Sequence, residues 1–286
     1  MVFIAMTDMV PGTSQSIRLP GSTEWEARHL IGSLTRRRLA MRFRGSKLGI
    51  VWMLAAPLLM LGVFTLVFDQ FLRLRWPGAE KGGSFVAALN IYLGLLLFNF
   101  LADNINSAPR LIIEHQVFVK KIVFPLPVLA YVVVFANLVP LLVGLLIVAL
   151  LAASGLAPEF SPAPLLLFAV PLWLLPVVLW SLAALWLISA IGVYARDIAH
   201  LTSPTITALM FVSPVFYSIH QVSADWKPLL ELNPIAWPIE QLREIMLHGN
   251  LPSAEATWVS LGVSFCAAAL ARYMFRKLQP GFADVL

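Results

Sequence analysis

The groups able to do chemistry in this chain are mainly cations, and they cluster. Arg36, Arg37, Arg38, Arg42, Arg44 and Lys47 crowd one short stretch, with Gly45 and Gly49 beside them. Guanidinium groups in such a run hold anionic headgroups at a membrane surface. The same run also reads as a basic flank that only sets topology. Machinery for covalent chemistry is missing from the pattern. No G-x-x-x-x-G-K-[ST] phosphate loop, G-x-G-x-x-G, H-E-x-x-H or G-x-S-x-G occurs. One cysteine, Cys266, rules out a disulfide framework and is most simply an apolar filler. The five histidines, at 29, 115, 200, 220 and 248, are dispersed, so a metal site is not expected.

The elements that must position these groups follow from composition. Hydrophobic residues make up 59% of 286 and charged residues 12%, against about 45–50% and about 25% in soluble domains. A soluble fold cannot hide that much apolar surface. Six stretches lack Asp, Glu, Lys, Arg and His: 49–68, 82–102, 122–158, 160–195, 201–219 and 256–271. A spanning helix needs about 20 apolar residues. The fold class expected is therefore an all-α integral membrane protein with six spans. The two longest stretches each hold one helix plus flanking loop, separated by a breaker-rich segment from Ser154 to Pro164. The sixth is extended by Tyr273, Met274 and Phe275 while Arg272 and Arg276 snorkel. Its ladder of Ala256, Ser260, Ser264 and Ala268 lets another helix approach closely.

An even count puts both termini on one side, and Lys and Arg choose it. Fifteen of the 20 lie in the N-terminal segment, the second and fourth loops and the C-terminal tail. Net charge on that side is +8, and on the other −3. Both termini are expected in the cytoplasm. The basic balance reflects orientation and anionic lipid, with nucleic acid excluded as a partner. No signal-peptide pattern occurs at the start.

The chain divides into a flexible tail over 1–22, an interfacial helix and loop over 23–48, a six-span domain over 49–278 and a C-terminal tail over 279–286. Thr23 and Glu26 fit a capping box for the interfacial helix. Trp25 lies near its start, and Ala27, Leu30, Ile31, Leu34 and Met41 form its apolar stripe. The second loop suits a short helix across the membrane face before Phe124-Pro125-Leu126-Pro127 redirects the chain. Between spans five and six, Ile235, Ile239, Leu242 and Met246 make an apolar stripe, and Gly249 follows as a stop. This segment either rests on the outer face or enters the membrane as a re-entrant helix. Inside the spans only mild polar groups occur: Asn90, Asn99, Asn137, Ser181, Ser189, Thr205 and Thr207. They are read as helix–helix hydrogen bonding. Phe64, Phe68 and Phe71 share a face of span one, and Phe211, Phe216 and Tyr217 recur around the end of span five. Such aromatics stack on sugars or simply pack.

Five strings in order resemble one family. They are Arg42 to Trp52 with Ala56 to Met60 and Phe64 to Phe68; Val119 to Pro125; Ile191 to Ile198 with Ser213 to Tyr217; Asn233-Pro234 with Glu240 to Arg243; and Gly281 to Leu286. Together they resemble the type 2 ABC exporter permeases, above all the O-antigen (Wzm-type) branch. The resemblance implies a homodimer that joins two separate nucleotide-binding subunits, which supply ATP and magnesium. The chain itself would then be a channel-forming subunit of the bacterial inner membrane, without enzyme activity or cofactor. Its cargo would be a polyprenyl-diphosphate-linked glycan. Arg42, Arg44, Lys47, Gly45 and Gly49 would meet the lipid diphosphate, where Arg makes bidentate contacts. Arg110, Glu114, Lys120, Lys121, Arg196 and Asp197 would feel the ATPase. Phe64, Phe68, Phe71, Phe211, Phe216 and Tyr217 would line the channel. Asn233, Pro234, Trp237 and Arg243 would belong to an outer gate. A capsule or teichoic-acid permease is the neighbouring reading. A polyprenyl-phosphate sugar transferase is the reading from another class, disfavoured because no carboxylate cluster appears.

Overall fold

The computed structural model describes residues 28–42, 49–67, 71, 76, 83–120, 124–155, 160 and 170–286. The expectations placed on 1–27, including the capping box, on Arg44, Gly45 and Lys47, and on Phe68 and Lys121 lie outside these residues.

All regular structure among the described residues is helical. In chain order the helices are α1 (Arg28–Arg42), α2 (Trp52–Leu66), α3 (Gly83–Ser107), α4 (Gln116–Lys120), α5 (Val128–Ala153), α6 (Val170–Tyr194), α7 (Ile198–Val212), α8 (Lys227–Glu231), α9 (Ala236–Arg243), α10 (Ala254–Leu278) and α11 (Phe282–Val285). Among the described residues, four helices are long and apolar enough to cross a membrane: those within Phe85–Ser107, Val128–Ala153, Val170–Tyr194 and Ala254–Val285. The helices α2 and α7 are apolar but have only 15 residues each. At about 1.5 Å per residue that is roughly 23 Å, short of a hydrocarbon core of about 30 Å.

The early stop of α7 has a local cause. Ser213 precedes Pro214, and the proline ring pushes the preceding residue out of the helical region. Ser213 is accordingly extended, with φ −81° and ψ 146°. The charge-free stretch 201–219 is thus a shorter helix followed by a turn, not one continuous span. That turn leaves backbone carbonyls pointing into the protein, which matters for the site below.

α3 is the central element. From Val86 to Leu95 its side chains are all buried, and it packs on α2, α5, α6, α7 and α9. Such a helix is apolar all round because it has no solvent or lipid face. The most extensive pair is α6 with α10. These two run parallel and in register: Trp173 Nε1 donates to Thr257 Oγ1 at 3.4 Å near their starts. Tyr194 OH donates to the Leu278 carbonyl at 2.9 Å near their ends. The buried positions of α10 are Thr257, Ser264, Ala268, Ala271 and Phe275, a mostly small-residue face. The second half of α6 also meets the start of α5, where Trp186 Nε1 donates to the Pro127 carbonyl at 3.1 Å.

The bundle therefore has two ends. The α1 end holds the start of α5 and the finish of α3, α6 and α10. The opposite end holds the start of α3, α6 and α10, the finish of α7, and α9. At the α1 end the chain closes tightly. A Cβ on Gly192 would lie 2.5 Å from the Pro109 carbonyl oxygen, so glycine is needed for the loop to sit on α6. The segment over 279–286, expected as a tail, is folded. Phe282 is fully buried and packs edge-on to Phe275 at 5.5 Å and tilted against Tyr194 at 6.0 Å.

Candidate functional site

The opposite end is organised around one guanidinium. Arg243 is 2% exposed. Its Nε donates to the Asn90 carbonyl at 3.2 Å. Nη2 donates to the Val215 carbonyl at 2.9 Å. Nη1 donates to the Tyr217 carbonyl and to Glu240 Oε1, both at 3.3 Å. The Trp76 ring lies beneath it at 4.7 Å, a cation–π contact. Glu240 Oε1 also accepts from the Ile219 amide at 2.8 Å. The carbonyls of residues 215 and 217 are those that Pro214 detaches from α7. Backbone groups without helical partners inside an apolar bundle need a donor, and Arg has five in a rigid fork. Burial pulls the Arg243 pKa down to about 10, opposed by Glu240, so the group stays cationic near neutrality. Gly94 makes room: a Cβ there would lie 2.9 Å from Nη2 and 3.2 Å from the Val215 backbone.

Asn233 completes this cluster. Its Oδ1 accepts from the Ile235 amide at 3.1 Å, and its Nδ2 donates to Ser213 Oγ at 2.9 Å. It thereby ties the entry of α9 to the exit of α7. Ile235, Ile239, Leu242 and Met246 are all buried, so the apolar stripe of α9 is spent on packing within the bundle. After the π turn Glu244–His248, Gly249 ends the segment at φ 68°, where glycine has no Cβ to clash. Of the four expected gate residues, Arg243 and Asn233 thus hold the end together, and Pro234 and Trp237 are half-buried. Reading the sequence missed Glu240 as the partner of Arg243. Its signal was the i, i+3 spacing.

At the α1 end a polar thread crosses three helices. Arg42 Nη1 donates to Asn137 Oδ1 at 3.4 Å, Asn137 Nδ2 donates to Asn104 Oδ1 at 3.0 Å, and Asn104 Nδ2 donates to the Phe100 carbonyl at 2.7 Å. Arg42 also pairs with Asp103 at 3.6 Å, with both side chains about half exposed (46% and 50%), so this pair adds little stability. A cavity of about 550 Å³ opens here between α1, α3 and α5, walled by Arg38, Arg42, Asp103 and Asn137. Another of about 480 Å³ is lined by Arg37, Arg38, Glu114, His115 and Phe118. Burial lowers the Arg38 pKa, Glu114 raises it, and Arg42 lowers it. Leu30, Ile31 and Leu34 pack on the core, so α1 lies against α5. Met41, expected on the same stripe, is 52% exposed. Gly49 takes φ 50° in the left-handed region, which suits glycine.

Of the residues expected to couple to an ATPase, Arg110, Glu114, Arg196 and Asp197 are exposed. α11 touches both α4 and α6, which brings the 108–120 segment and the 195–197 turn to one surface. Lys120 closes α4. The aromatic set divides. Phe71 and Phe211 are 73% and 67% exposed, whereas Phe64 and Phe216 pack on the core. Tyr217 OH donates to the Val212 carbonyl at 2.8 Å. Of the mild polar residues expected to bond between helices, Asn137 does so. Asn90, Ser189, Thr205 and Thr207 bond within their own helices.

A bundle of long apolar helices, stapled at one end by a buried cation and carrying no metal-binding cluster among the described residues, is a multi-pass membrane protein. The chain belongs to the ABC-2 type transporter family, whose profile matches residues 29–247. It is similar, at 27% identity over 263 residues, to the O-antigen export system permease protein RfbA of Myxococcus xanthus, covering 91% of this chain and 96% of that one. Against a protein of the same name from Klebsiella pneumoniae it is 23% identical over 258 residues, covering 90% and 95%.

Proposed function

We propose that this chain is the permease subunit of an ATP-driven O-antigen exporter. It would work as a homodimer with two separate nucleotide-binding subunits that hold ATP and magnesium. The carrying observation is the end-to-end match to relatives named as O-antigen export permeases. The excess of Lys and Arg at the α1 end supports a cytoplasmic position for that end, in an inner membrane with both termini inside. In this reading α2 and α7 supply the shorter first and fifth of six spans, and α9 is the re-entrant outer helix.

The cargo would be a glycan on polyprenyl diphosphate. Arg42 faces the cavity between α1, α3 and α5, and the run through Arg44, Gly45, Lys47 and Gly49 continues from it. Guanidinium groups at a membrane surface suit a diphosphate. The exposed surface carrying Arg110, Glu114, Arg196 and Asp197 is the docking face for the ATPase. The path itself is best supported by α7. Its exposed residues include Ser203, Pro204, Thr205 and Thr207 together with Leu201 and Phe211. This face is more polar than the exposed face of α10, although the Thr205 and Thr207 hydroxyls bond back to carbonyls of their own helix. The exposed face of α10, with Trp258, Val259, Val263, Phe265 and Leu270, is the apolar kind that lipid prefers.

Deleting the gene in its host tests the reading. Surface O-antigen should disappear while lipid-linked glycan accumulates inside, and a plasmid copy should restore export. Unchanged surface O-antigen in the deletion strain would overturn it.

A further inference from the structure

The opposite end holds a pocket that the packing of the bundle does not need. It is about 260 Å³ and opens between the 219–220 turn, α8, α9 and the start of α10. Trp237 forms part of its wall, with His220, Lys227, Gln241, Glu244 and Ser253 around it.

Gln241 is the informative side chain. It is 3% exposed. Its Nε2 lies 3.3 Å from Thr257 Oγ1. The Thr257 hydroxyl spends its proton on the Ser253 carbonyl at 2.9 Å and accepts from Trp173 Nε1. It can therefore only accept from Gln241, which fixes the amide with its nitrogen toward Thr257. The carbonyl Oε1 is left buried without a partner among the described residues. A buried acceptor left unpaired costs about 1–3 kcal/mol, and it calls for a hydroxyl or N–H donor.

Charge narrows the occupant. Lys227 and Glu244 bring opposite charges to the wall, and Glu244 Oε2 accepts from Asn250 Nδ2 at 3.0 Å. Glu240, also in the wall, is matched by Arg243. The wall is polar but balanced, which favours a neutral hydrogen-bonding ligand over a phosphate or a carboxylate. The volume falls just below the roughly 300–1,000 Å³ of drug-sized sites, enough for one sugar ring. An indole face offers the flat apolar surface on which the C–H face of a pyranose lies.

We infer that this pocket binds one neutral pyranose unit, with Trp237 as the platform and Gln241 Oε1 as the acceptor for a ring hydroxyl. The choice of a glycan unit rests on the export reading, and the pocket would then hold the glycan at its exit.

Saturation-transfer NMR on the purified full-length protein in nanodiscs tests this. The probes are the methyl glycosides of glucose, galactose and mannose, with inorganic phosphate as the anionic control. At least one glycoside should receive transfer, with a dissociation constant on the order of 1 mM. The signal should fall at least fivefold in Trp237→Ala and in Gln241→Leu and return in Trp237→Phe. Thermal unfolding reports whether each variant is folded. No transfer to any glycoside, transfer equal in wild type and Trp237→Ala, or phosphate binding in place of sugar would each overturn the inference. The readout needs no transport, so the two readings fail separately. If glycosides bind while the deletion strain keeps its surface glycan, export falls and the pocket stands. If export holds and no glycoside binds, only the pocket falls.

Discussion

At the residue scale, Arg243 decides whether the end opposite α1 holds its shape. Removing one partner of a buried ion pair costs about 3–5 kcal/mol, because the other charge is left alone. Arg243→Leu also strips the carbonyls of Asn90, Val215 and Tyr217 of their donor. We expect a fall of that size, seen as a large drop in the thermal midpoint of the detergent-purified protein. Arg243→Lys should recover little, since an ammonium cannot reproduce the planar fork. Full stability in Arg243→Lys would show that charge alone, and not geometry, is used there. This site was half legible in the sequence. Asn233 and Arg243 were reached through the family resemblance, and the glycine stop through its place after the apolar stripe. What they bind was hidden. The acceptors are main-chain carbonyls freed by Pro214, and no side-chain pattern announces a carbonyl. Gln241 was overlooked for a related reason: its role depends on which way the Thr257 hydroxyl points.

At the element scale the contrast between α7 and α10 makes a prediction. Single cysteines at Ser203 and Thr207 on α7, and at Val263 on α10, in a Cys266→Ala background, should react differently in membranes. A water-soluble maleimide should label the α7 positions and spare Val263→Cys. Equal protection of all three would place α7 against lipid and remove the support for a path along it. Helix identities were readable because long charge-free runs have one stable form in a membrane. Their ends were harder. Hydropathy does not register that Ser213-Pro214 stops α7 seven residues before Ile219 loses its apolar neighbours. The packing of α1 on α5 through Leu30, Ile31 and Leu34 was legible from its stripe, Met41 excepted. The packed state of 279–286 was not, since one buried phenylalanine in a short polar segment leaves no period to detect.

At the scale of the whole molecule, α2 and α7 both lean on α3 and leave exposed apolar and aromatic surface, including Trp52, Leu59, Phe71 and Phe211. Under the proposed homodimer, this surface beside the proposed path is where a second copy would seat, since a two-fold dimer pairs each surface with its own copy. Phe211→Cys in a Cys266→Ala background should form a disulfide-linked dimer on mild oxidation in membranes, whereas Val263→Cys should not. Crosslinking through Val263→Cys alone would move the interface to α10. The parallel pair α6 and α10 sets the mechanical division. Two helices aligned over their full length, bonded near both ends, resist sliding, because any axial shift must break contacts along the whole seam at once. That pair is a keel. The short helices α2 and α7, which share no such seam, are the elements freer to shift.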